Sequence, residues 1–233
     1  MTDVSFIYLP TGFCGASAAP TASDPADWVG WHFSDLRNVA QIAATGALVC
    51  HSAGLAHVDL ADAEIKRDRL STRIDLPAPY PESSVGDHVP FYFASRSPML
   101  FRVAHETHAQ SSLVFFGVKL GDVANACNWC VTDGNARSGL TQFTASIGEV
   151  GEVVDVGALS KKYWNDIEDT DLKRRRQAEL LIRDRVPLSL IHCIVCKTEA
   201  TLSVVRETLK PWNGNITYHV EPHLYFREVD DDH

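Results

Sequence analysis

The sequence predicts an α+β (mixed α/β) fold, and three observations carry that reading. His88 to Ala94 (HVPFYFA) and Ser112 to Lys119 (SLVFFGVK) are rich in aromatic and β-branched residues, as strands are. Leu36, Val39, Ile42 and Ala43 recur at helical spacing. Elements of the two kinds follow one another irregularly, as in a domain of mixed α and β layers. The chain has 233 residues, 45% of them hydrophobic and 22% charged. That is enough apolar material for a packed core without metal or disulfide staples.

Taken in order, residues 1–27 read as an irregular N-terminal extension, punctuated by Pro10, Gly12, Gly15, Pro20 and Pro25. Residues 28–233 read as one domain. Trp28 to Phe33 is expected as a short strand. Ser34 or Asp35 then caps a helix that stops at Gly46. A second helix is expected from Asp59 to about Leu70, followed by a proline-rich loop from Leu76 to Pro81. After the HVPFYFA strand, Ser97-Pro98 opens a helix with proline at its first position. Trp129 to Thr132 is a strand ended by the Asp133-Gly134 turn, and Ala158 to about Asn165 is expected as a helix. Leu172 to Val186 (LKRRRQAELLIRDRV) is ambiguous between one amphipathic helix and a basic helix end followed by a strand. Leu190 to Cys196 is expected as a buried strand and Glu199 to Leu209 as a helix. Pro211, Asn213 and Gly214 form a turn before a last strand, Ile216 to Val220.

Several functions lose support. No apolar run reaches membrane-spanning length, and the N-terminus lacks the pattern of a signal peptide. A cytoplasmic protein with no membrane partner is the resulting expectation, with Cys14, Cys50, Cys127, Cys130, Cys193 and Cys196 as reduced thiols. The formal net charge of −9 opposes broad attraction to nucleic acid, so any DNA contact needs a local basic groove. Cys127-Asn-Trp-Cys130 and Cys193-Ile-Val-Cys196 have zinc-like spacing, which keeps a zinc-stabilised interaction module as a competing class. The second pair lies in a predicted strand, where residues three apart point to opposite faces and cannot share a metal, so no metal is expected. Walker, Gly-x-Gly-x-x-Gly and Gly-x-Ser-x-Gly patterns are absent.

Three clusters hold candidate chemistry. In Arg174-Arg175-Arg176-Gln177-Ala178-Glu179, a strand at 177–182 would put Gln177 and Glu179 on one face, a carboxylate suited to a cationic transition state. The competing reading is a solvated helix. Trp31-His32-Phe33-Ser34 stands at a strand end before a helix, where ribose and phosphate bind, or where a histidine packs and a serine merely caps. Glu64-Ile65-Lys66-Arg67-Asp68-Arg69 offers an arginine fork for a diphosphate, or a surface helix with internal ion pairs.

These clusters, in this order around Val85-Gly86-Asp87-His88-Val89-Pro90-Phe91-Tyr92-Phe93-Ala94-Ser95-Arg96-Ser97-Pro98-Met99, resemble the DarT family of DNA ADP-ribosyltransferase toxins. The family carries a similar "DYVPFYF…SPM" block, an "FTD" turn like Val131-Thr132-Asp133, and an "RRRQAE" segment. The resemblance runs from about Trp31 to Cys196. It implies an ADP-ribosyltransferase fold, with a split mixed β-sheet and flanking helices forming an NAD cleft. It implies that 177–182 is a strand, with Glu179 and Arg69 as catalytic residues. It implies NAD as co-substrate, with His32, Ser34, Arg69, Tyr92 and Arg96 at the cofactor. The stretch Leu70 to Ser84 departs from the family pattern, leaving Arg67 as an alternate to Arg69. Single-stranded DNA is the implied acceptor, thymine favoured over guanine, with RNA or protein as the remaining acceptors. Tyr163 and Trp164 would stack bases, and Lys162, Arg174 and Arg176 would meet phosphates. A cognate antitoxin that removes the modification is the implied partner.

Overall fold

The structure is a computed structural model that describes residues 13–14, 19–55, 58–60, 63–106, 109–212, 214 and 216–226. Among these, the strands in chain order are β1 (Phe13–Cys14), β2 (Ala19–Pro20), β3 (Val29–Asp35), β4 (Ala47–Val49), β5 (His88–Tyr92) and β6 (Leu113–Lys119). They continue with β7 (Trp129–Thr132), β8 (Phe143–Thr144), β9 (Glu179–Arg183), β10 (Arg185–Pro187), β11 (Cys193–Cys196) and β12 (Thr217–Val220). Eight of them form one sheet in the order β12-β11-β6-β3-β5-β9-β7-β8. Within it β11 and β12 are parallel, and every other neighbouring pair is antiparallel.

The central strands are apolar on both faces because both faces are covered. On β6, Val114, Phe116 and Val118 enter one core, with the Val39–Thr45, Leu120–Ala126 and Glu199–Thr208 helices against it. Leu113 and Phe115 enter the other, beneath the Pro98–Glu106 helix and Tyr225. The Tyr225 hydroxyl stands 3.0 Å from both the Leu113 and Val195 carbonyls, tying the C-terminal segment across β6 and β11. Cys193 and Cys196 fall in opposite layers, as residues three apart on a strand must.

One junction in the sheet differs from the rest. β3 pairs with β6 at seven positions and β5 with β9 at five, but β3 and β5 share the single pair Trp31–Tyr92. Pro90 contributes to this. It has no N–H, and its carbonyl, turned toward β3, takes a hydrogen bond from His32 Nδ1 at 2.9 Å. The pairing between the two halves of the sheet is thinnest there, where the resemblance leads one to expect a split.

The helix expected from Ser34 or Asp35 begins as a 3-10 turn, Leu36–Asn38, capped by Asp35, whose side chain accepts from the Arg37 N–H. It continues as an α-helix over Val39–Thr45 and stops at Gly46, in the left-handed region at φ 66°. The second helix is Ala63–Ser71. Some expectations are corrected. The helix placed at 158–165 is instead Val156–Ser160: Asp155 caps it through the Ala158 N–H, and Lys161 is already extended. Trp164 then turns inward onto Phe101 and Phe226. The strand read from Leu190 begins at Cys193, after a 3-10 turn at Leu188–Leu190. In the N-terminal segment read as irregular, Ala19 is buried in the core and the Trp28 indole donates to the Ala22 carbonyl at 2.8 Å. The rest of that extension, at 1–12 and 15–18, lies outside the described residues.

Candidate active site

Glu179 opens β9. Its backbone N–H donates to Thr132 Oγ1 at 2.9 Å, and that hydroxyl donates to the Gly134 carbonyl at 2.7 Å. This fixes the first residue of the strand against the end of β7. The side chain is 1% exposed. Oε2 accepts from Arg69 Nη1 at 3.0 Å and Oε1 from the Ala136 N–H at 3.2 Å. A carboxylate so buried is tolerated because a cation and a backbone donor meet it. Arg69 comes from the Ala63–Ser71 helix, where Ile65 and Arg69, four apart, both line the cleft. Arg67 lies on the exposed side. Arg69 is thus the arginine that reaches Glu179.

Two cavities meet at Arg69, Pro90, Tyr92 and Met99. The smaller, about 170 Å³, is lined by His32, Ser34, Asn38 and His88 among others. The larger, about 560 Å³, contains Glu179 and Gln177, with Phe101, Trp164, Arg137 and Lys173 on its walls. The junction carries an unsatisfied donor: Arg69 Nη2 is buried with no hydrogen-bond partner. Tyr92, paired with Glu179 in register, has its hydroxyl pushed above the usual tyrosine range, first by burial and then by the neighbouring carboxylate.

The sequence did not single out Asn38. It is buried, its Nδ2 donates to Ser34 Oγ at 3.0 Å and to the Val58 carbonyl at 2.9 Å, and its Oδ1 accepts from the Val58 N–H at 2.7 Å. It therefore holds residue 58 over the smaller cavity. Its position four residues after Ser34, on the first turn of a helix, was the available signal. Arg137 was also missed. It pairs with Asp68, the neighbour of Arg69, and lines the larger cavity.

The expected DNA-contacting residues separate. Trp164 lines the larger cavity. Tyr163 is 55% exposed beside it, with Lys162 Nζ 4.9 Å from its ring centre. Arg174 is occupied elsewhere: its guanidinium pairs with Asp133 at 2.7 and 3.0 Å and with Asp171 at 2.7 and 2.8 Å, clamping the loop after β7. Arg176 is 1% exposed and donates to the Lys161 and Arg96 carbonyls. Burial draws its basicity down to about 9. Both expectations are corrected on geometry, since a guanidinium enclosed by its own chain presents no donor to a phosphate. Arg96 lines neither cavity.

This arrangement matches known proteins. A family model described as "ssDNA thymidine ADP-ribosyltransferase, DarT" matches residues 31–226. A DNA ADP-ribosyl transferase of Mycobacterium tuberculosis is 35% identical over 226 residues, covering 94% of this chain and 98% of the relative. One from Thermus sp. is 26% identical over 186 residues, covering 77% and 86%. The structure of Thermus sp. 2.9 DarT in complex with ADP-ribosylated ssDNA matches with a TM-score of 0.80 at 23% identity, over 89% of this chain and all of that one. The same protein in complex with NAD⁺ matches with a TM-score of 0.72 at 21% identity, over 88% and 100%. The chain is an enzyme of the DNA ADP-ribosyltransferase class. It belongs to the DarT family.

Proposed function

We propose that the protein transfers ADP-ribose from NAD⁺ to a thymine base in single-stranded DNA, as the toxin of a toxin–antitoxin pair, through a catalytic domain spanning residues 28–233. The observation that carries this is the buried Glu179–Arg69 pair, with Glu179 in the larger cavity and Arg69 lining both. The family description supports thymine and a single strand, and the name of a similar structure, Thermosipho africanus DarTG in complex with ADP-ribose, supports a paired antitoxin.

NAD⁺ supplies an ADP-ribosyl group whose bond to nicotinamide can be cleaved. The residues fit it. Asn38, Ser34 and His32 form a polar wall in the smaller cavity, and the unsatisfied Arg69 Nη2 suits an anionic oxygen at the junction. His32, Ser34, Arg69 and Tyr92 hold the donor. Positive charge grows on the ribose carbon as the glycosidic bond breaks and nicotinamide leaves with the bonding pair. Glu179, desolvated and fixed by Ala136 and Arg69, stabilises that charge. The base enters from the larger cavity and its ring nitrogen attacks the same carbon. The proton of that nitrogen passes to Glu179 as general base. A single strand presents its base edge without breaking a pair. Trp164 offers a stacking face worth about 1–3 kcal/mol. We place the reaction in the cytoplasm, where NAD⁺ and DNA meet; among the described residues no helix is long and apolar enough to cross a membrane.

Incubation with NAD⁺ and oligonucleotides of defined base content, read by mass spectrometry, tests this. Thymine-containing single strands should gain one ADP-ribose, and Glu179→Gln should lose about 10²-fold or more in rate. Full activity of Glu179→Gln would reject the catalytic assignment. Adducts on guanine, RNA or protein alone would reject the acceptor.

A further inference from the structure

We propose that Arg174 is a positioning residue for Glu179: it holds the turn after β7 so that the Ala136 N–H stays set on the catalytic carboxylate. The proposal rests on the reading of Glu179 as the residue that stabilises the ribose charge. Arg174 stands in the short helix Leu172–Arg175, ahead of β9. Its guanidinium meets both oxygens of Asp133, Nη1 to Oδ1 at 2.7 Å and Nη2 to Oδ2 at 3.0 Å. Nε and Nη2 also donate to the two oxygens of Asp171, at 2.7 and 2.8 Å. The Arg174 carbonyl accepts from the Asn135 N–H at 3.0 Å. Residue 174 thus grips Asp133 with its side chain and Asn135 with its backbone. The next N–H along the turn, that of Ala136, donates to Glu179 Oε1 at 3.2 Å.

The two ends of Glu179 are held by different parts of this turn. Its backbone N–H is fixed by Thr132, inside β7. Its carboxylate depends on Ala136, beyond the end of the strand. If the turn shifts, Thr132 keeps the backbone in place and the Ala136 N–H leaves the carboxylate. Hydrogen bonds to an ionised group are among the stronger ones, and they weaken steeply as distance and angle are lost. The Arg174 fork suits the task because two parallel bonds fix direction as well as distance, which a lysine cannot do. Arg174 and Asp133 are 14% and 15% exposed, so little water stands ready to replace either partner. Gly134, between the two gripped residues, shows how close the fit is. A methyl there would lie 2.6 Å from Arg174 Nη1 and 2.8 Å from the Arg174 carbonyl oxygen. Without this clamp, the charge that faces the ribose is no longer preorganised.

The test separates positioning from DNA contact. Arg174→Gln and Asp133→Asn in the full-length chain, assayed with NAD⁺ and a thymine-containing single strand, should each lower kcat about tenfold or more. KM for the oligonucleotide should stay at the wild-type value. Titration of a labelled oligonucleotide should show the same binding-competent fraction and the same salt slope as wild type, which distinguishes a misplaced carboxylate from unfolded protein. The double variant should lose no more than the worse single one, because both substitutions break one link. Gly134→Ala keeps the arginine but displaces it, and should lose kcat in the same way if the charge variants do not fold. Wild-type kcat in these variants, or additive losses in the double variant, would overturn the proposal. So would Arg174→Gln with kcat intact, a raised KM and a salt slope shallower by about 0.7, the mark of a lost phosphate contact. Full activity of Glu179→Gln would instead reject the reading of Glu179, and this role for Arg174 with it.

Discussion

At position 88 a histidine is 1% exposed, with both ring nitrogens engaged: Nδ1 lies 2.9 Å from the Ser84 carbonyl and Nε2 lies 2.8 Å from the Tyr80 hydroxyl. The carbonyl can only accept, so Nδ1 carries the hydrogen and Nε2 accepts from the tyrosine. That pattern suits neutral imidazole. Burial, outweighing the Ser84 bond and the Asp87 charge, draws the pKa from 6.5 down to about 4. Because the folded value is the lower one, the unfolded chain binds the extra proton between pH 6.5 and 4. The stability this group contributes is complete above pH 6.5 and is lost as pH falls through about 4. The loss amounts to about 3 kcal/mol. Denaturant melts of wild type and His88→Gln at pH 7 and pH 4.5 should therefore converge at the lower pH, and parallel profiles would contradict it. Arg176 shows the same physics in a cation: its place inside the fold, against carbonyls, makes it part of the frame behind the cleft.

The elements that carry the site are short and depend on their neighbours. β9 is five residues long, and Glu179 to Ile182 are all buried, with Leu180 and Ile182 in one core and Leu181 in another. A helix over the same residues would bury one stripe; a strand between β5 and β7 buries both faces and satisfies the backbone on both edges. Asp184, at φ 60°, ends it, and the chain turns into β10. Close packing between β6, β3 and β11 is equally demanding. A methyl at Gly117 would lie 2.7 Å from Cys193 Sγ and 2.9 Å from a Trp31 ring carbon. Gly117→Ala should cost about 1–3 kcal/mol by overpacking, read as a lower denaturation midpoint with an unchanged slope. Stability equal to wild type would show that this layer has room to relax.

Across the whole molecule, charge and shape divide the work. The chain carries −9, and Arg174 and Arg175 face aspartates, so much of the basic run 173–176 is neutralised internally. Lys173 remains at the larger cavity, with Lys162 exposed nearby. One or two phosphate contacts imply a slope of log affinity against log salt of about −0.7 to −1.4 for a single strand. Fluorescence anisotropy with a labelled oligonucleotide measures it, and a slope beyond about −4 would mean that a wider basic surface takes part.

How much of this was legible follows from where the information lies. The resemblance pointed to Glu179, Arg69, His32 and Tyr92, which line the two cavities, while periodicity gave the apolar runs of β5, β6, β11 and the Glu199–Thr208 helix, because periodicity and motif are local properties of a chain. The sequence could not tell that Arg174 and Arg176 would be enclosed, since their partners, Asp133 and the Arg96 carbonyl, are separated from them by about 40 and 80 residues. Nor could it settle the strand at Glu179, which the edges of β5 and β7 impose, or bring forward Asn38 and Arg137, whose roles exist only once residue 58 and Asp68 stand beside them. Composition and order determined the family of folds and the chemistry on offer. Tertiary contact decided which charges remain free to use it, because in this fold a charge is available only where its own chain has not already satisfied it.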